Sequence, residues 1–66
     1  MEINSVKLVR VPVAEISTSR GDFRVDVYGT VLIHDEAKGW HPPYGFDYED
    51  IHAIQIMGLD QLNGVH

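Results

Sequence analysis

The segment Phe23-Arg24-Val25-Asp26-Val27-Tyr28-Gly29-Thr30-Val31-Leu32-Ile33-His34 alternates with a period of two. Phe23, Val25, Val27, Val31 and Ile33 share one parity. Arg24, Asp26, Tyr28, Thr30, Leu32 and His34 share the other. Alternation of this kind is that of a half-buried β-strand, and it predicts that the first set faces a core. Gly29 falls midway, where a glycine marks a bulge or a sharp bend. Bent strands are how small barrels turn corners.

Upstream, Ser17-Thr18-Ser19-Arg20-Gly21-Asp22 has the composition of a turn. Before it, residues 5 to 13 are rich in valine and predict another strand. Strict alternation would set Val9, Val11 and Val13 on one face, and Val6 and Leu8 on the other. Both faces would then be partly apolar, which suits a small barrel. Pro12 donates no ladder hydrogen bond, so the strand is expected to lie at an edge or to end there. Downstream, residues 35 to 45 hold two glycines and the pair Pro42-Pro43, and read as a loop.

Residues 47 to 58 carry conflicting signals. Asp47 could cap a helix, Glu49 and Asp50 suit a first turn, and Gly58 could end one. Yet Tyr48, Ile51, Ala53, Ile54, Ile56 and Met57 scatter around a helix. The isoleucines favour a strand at about 52 to 57. The pattern Phe46-x-Tyr48-x-Asp50-Ile51-x-x-Ile54-x-Ile56 resembles a late strand-turn-strand unit of Sm-like barrels and pleckstrin-homology-like domains. That resemblance implies a β-barrel or a strongly bent sheet. The expected fold is mainly all-β. It is one domain over residues 1 to 66, a small antiparallel sheet or partly closed barrel of three to five strands, with one short helical turn after it.

The chain has 66 residues and no cysteine. Burial of apolar surface contributes on the order of 100 kcal/mol at this size, and ordering the chain costs about as much at ~1.5 kcal/mol per residue. The near-cancellation favours a homo-oligomer, with a dimer as the commonest closed form. Hydrophobic residues make up 44% and charged ones 23%, a balance that excludes disorder as the ground state. No apolar run reaches the ~20 residues of a membrane-spanning helix. Met1-Glu2-Ile3-Asn4 lacks the basic start of a signal peptide, so a cytoplasmic location and no membrane partner are expected.

Net charge is −5, from five Lys+Arg against ten Asp+Glu. That balance disfavours binding to phosphate backbones. Two further readings concern nucleic acid. Lys7, Arg10, Arg20 and Arg24 could share a patch on a small barrel, or Asp47, Glu49, Asp50 and Asp60 could imitate phosphates on an inhibitor.

Catalysis finds little support. There is no Gly-x-Ser-x-Gly elbow and no phosphate-cradling glycine loop. A divalent transition metal could be held by His34 and His41 with Asp35 or Glu36, with His52 and His66 as further imidazoles. The aromatics carry more weight. Trp40, Tyr44, Phe46 and Tyr48 lie within nine positions of one another, among His41, the two prolines and Glu49. Trp and Tyr are typical interface anchors. The sequence therefore predicts a non-catalytic module that docks on another protein through Trp40, His41, Tyr44, Phe46, Tyr48 and Glu49.

Overall fold

The computed structural model describes residues 1–10 and 12–64. Five strands precede one helix: β1 (Ile3–Arg10), β2 (Val13–Thr18), β3 (Gly21–Asp26), β4 (Val31–Asp35), β5 (Gly39–His41) and α1 (Tyr48–Asn63). The strands form one antiparallel sheet in the order β1-β2-β3-β4-β5. Each strand pairs with its sequence neighbour, so the sheet is an open meander with a helix laid across one face.

The period-two segment folds back on itself instead of bending. Gly29 has φ +83°, a left-handed conformation that favours glycine. Asp26 organises the reversal: its Oδ1 accepts the N–H of Tyr28 at 2.9 Å and of Thr30 at 3.0 Å. A short polar side chain that satisfies the backbone just ahead of it is the usual device of such turns. Phe23, Val25, Val31 and Ile33 are buried as expected. Val27 is the exception, because the turn carries it out to solvent.

The valine-rich first strand departs from strict alternation. Register shifts lie between Ile3 and Ser5 and between Leu8 and Arg10. Each adds one residue to β1, and each reverses the parity of the residues after it. Ile3, Val6 and Leu8 therefore pair with Thr18, Ile16 and Ala14, three residues buried on the helix side. Ser5, Lys7 and Arg10 pair with Ser17, Glu15 and Val13 on the other side. The expectation of two apolar faces is thus corrected: two bulges sort the apolar residues onto one. β1 ends at Arg10, Pro12 lies in the turn, and Val13 opens β2. The expectation for Val11 lies outside the described residues.

Residues 35 to 45 are not wholly a loop, since Gly39–His41 returns as β5 against β4. The strand expected at 52 to 57 is part of α1, so the resemblance to a strand-turn-strand unit does not hold. The helix starts where its signals place it: Asp47 is the N-cap residue, although its side chain makes no capping hydrogen bond, and Glu49 and Asp50 lie in the first turn. The stop signal does not hold. Gly58 lies inside the helix, fully packed, where a Cβ would overlap the Cβ and both γ-methyls of Val25. It brings helix and sheet together at closest approach. Ile54 is fully buried among Ile16, Phe23, Val25, Val31 and Ile33, with Ile51 and Leu59 half-buried beside it. Gln55 Nε2 donates to the Gly29 carbonyl at 2.6 Å, tying α1 to the β3–β4 turn.

Candidate binding face

Alternation along each strand sends every second side chain away from α1. Lys7, Glu15, Arg24 and Leu32 form one row across β1 to β4, as successive register partners. Arg10, Val13 and Asp26 form the next. Trp40 on β5 pairs with His34 on β4, which stands on the same uncovered side.

Arg24 is the centre of this face. Its Nε donates to Glu15 Oε2 at 3.1 Å, and its guanidinium carbon lies 4.3 Å from the centre of the Trp40 ring. The His34 ring contacts the same indole, with centroids 5.1 Å apart. Trp40 is thereby held between a cation and an imidazole, in contacts of the kind worth roughly 0.5–2 kcal/mol each for the cation. A depression of about 210 Å³ opens beside it, lined by Arg10, Val13, Arg24, Asp26, Leu32 and Trp40, with Thr30 completing the wall.

The six residues expected to dock a partner are not brought to one surface. Trp40 is half-buried on the uncovered sheet face. His41 is half-buried, its Nδ1 2.9 Å from the Pro42 carbonyl oxygen. Phe46 belongs to the core rim, meeting Phe23 edge-on at 5.3 Å, with Arg20 stacked on it at 4.2 Å. Tyr44 and Tyr48 are 81% and 80% exposed, too free to serve the core. Tyr48 stacks on His52 one helical turn along, and Glu49 is exposed in the same turn.

Among the described residues no group of three or more His, Cys, Asp or Glu side chains is gathered as a metal site. His34 turns to Trp40, and Asp35 is committed to its own turn. Its Oδ1 accepts the N–H of Ala37 at 2.7 Å and of Lys38 at 3.2 Å. Those two hydrogen bonds favour the ionised carboxylate and hold the Asp35 pKa below the ordinary value. Glu36 is exposed, and His66 lies outside the described residues.

Of the basic residues expected to share a patch, Lys7, Arg10 and Arg24 stand on this one face, whereas Arg20 lies over the Phe46 ring. Sequence reasoning missed Leu32 and Val13 as members of the same face, and a signal existed for Leu32. Leu32 is the only aliphatic residue in an otherwise polar and aromatic parity set, which marks an apolar position on the uncovered side. Comparisons with family models, with curated proteins and with solved structures returned no match. Among the described residues no helix is long and apolar enough to cross a membrane.

Proposed function

We propose that this chain is a small non-catalytic protein-interaction module, docking through the uncovered sheet face around Trp40. The observation that carries the reading is the depression beside Trp40, at about 210 Å³. Small-molecule sites run to about 300–1,000 Å³ and are concave. This one has the size of a single protruding side chain. Its lining joins Val13, Leu32 and Trp40 to Arg10 and Arg24, in keeping with interface centres, where Trp and Arg are enriched. Trp40 is also already oriented by Arg24 and His34, so little rotamer freedom is lost on docking.

The test is site-specific photo-crosslinking in the native host, with the reactive residue placed at Leu32 and, as a control, at exposed Tyr28 in the β3–β4 turn. Leu32 should give a discrete protein adduct that the control position does not. Trp40→Ala should weaken the recovered complex by about 2 kcal/mol, roughly 30-fold. Absence of any adduct specific to Leu32 would show that this face docks nothing.

A further inference from the structure

We infer that the partner on this face is a second copy of the chain, related by a two-fold axis; the inference rests on the docking reading above. The first argument is charge. The uncovered face holds Lys7, Arg10 and Arg24 against Glu15, Asp22 and Asp26, with Asp22 placed there by its pairing with Ser17. Three cations balance three carboxylates, so the whole net charge of −5 resides elsewhere. The helix side contributes Glu49, Asp50 and Asp60 with no Lys or Arg in α1. Two copies that approach through their helices meet like charge, whereas this face carries none in excess.

The second argument is pattern. Along the row Lys7, Glu15, Arg24, Leu32 the signs alternate before an apolar end. A two-fold axis parallel to the strands, running between β2 and β3, maps Glu15 onto Arg24 and Lys7 onto Leu32. Each Arg24 then meets the Glu15 of the other copy, and each Lys7 lays its aliphatic stem over the other Leu32. An isologous contact requires such self-complementarity, since every residue must suit its own image. Two sheets stacked face to face in this way form a sandwich with α1 on each outer side. The edge of β1 is a poorer route to the same dimer, because the bulges beside Asn4 and Val9 interrupt its ladder at both ends.

Light scattering after size-exclusion chromatography, from micromolar to millimolar protein, decides the point. The mass should rise from 7.5 kDa toward twice that value. Thr30→Lys, at an exposed position on the wall of the depression, should weaken dimerisation at least tenfold while leaving the circular dichroism unchanged. Leu32→Glu should do the same, with its fold checked in parallel. Mixed-isotope NMR should show contacts between Leu32 of one copy and Lys7 of the other, and between Arg24 of one copy and Glu15 of the other. Intermolecular contacts confined to β1 backbones would instead establish edge pairing and overturn the proposal. A mass that stays at 7.5 kDa at millimolar protein would overturn it too. Capture of a different protein at Leu32 alongside that monomeric mass would overturn the self-pairing while the docking reading stands with another partner.

Discussion

At Gly58 two opposing effects can be weighed directly. An alanine there would gain about 1 kcal/mol of helix propensity over glycine. Its Cβ would also overlap three carbons of Val25, on a strand paired on both sides. Overpacking of a rigid core costs typically ~1–3 kcal/mol, and more when backbone must move. We expect Gly58→Ala to lose about 2 kcal/mol net in urea denaturation, and Val25→Ala to recover part of the loss in the double variant. A Gly58→Ala protein as stable as the parent would remove the close-approach argument. Asp35 offers a second test, this one in pH. Its pKa is lowered by the N–H groups of Ala37 and Lys38. The linked stability is therefore present above the unfolded-state pKa and is lost as pH falls through the folded value. Carbon-detected NMR should place its midpoint below that of an ordinary aspartate. In Asp35→Ala, amide exchange at Gly39–His41 should accelerate, since the turn that positions Trp40 loses two hydrogen bonds. An ordinary midpoint, or unchanged exchange, contradicts this role.

At the level of elements, the legible parts were those in which one local rule acted alone. β3 and β4 obey simple alternation, so Phe23, Val25, Val31 and Ile33 could be assigned to the core from spacing. β1 obeys alternation only between its bulges. The extra residues are set by pairing with β2, which no local pattern encodes, and they turned a sorted strand into one that reads as apolar on both faces. α1 was obscured by composition. Its buried stripe runs through Ile51, Ile54, Gly58 and Leu59, and the glycine within it reads as a stop. Meanwhile Ile56, 46% exposed, places an apolar residue on the wet side, and the two together erase the helical period. The aromatic cluster is divided by the chain between β5 and α1: Trp40 on β5 stands beside His34 on the uncovered side, and residues 42–47 carry Phe46 round to pack on Phe23 on the helix side.

For the molecule as a whole, the consequence is that α1 covers most of the apolar face, with Phe46 packed at its rim. Ile16, Phe23 and Val25 are fully buried and Val31 and Ile33 nearly so, and Ile54 is the helix residue fully buried among them. The hairpins are local and can form early, but an isolated meander would expose this entire row to water. Removing a buried isoleucine side chain costs ~2–5 kcal/mol, a large share of what a chain of this size retains. We therefore expect Ile54→Ala to unfold a substantial fraction of the protein at room temperature. A chain ending at Phe46 should lack dispersed amide signals in NMR and should bind a hydrophobic dye or aggregate. Had the sheet closed into a barrel, its core would lie inside the strands and the truncated chain would stay folded. Dispersed signals from residues 1–46 would thus show that the sheet holds its core without the helix.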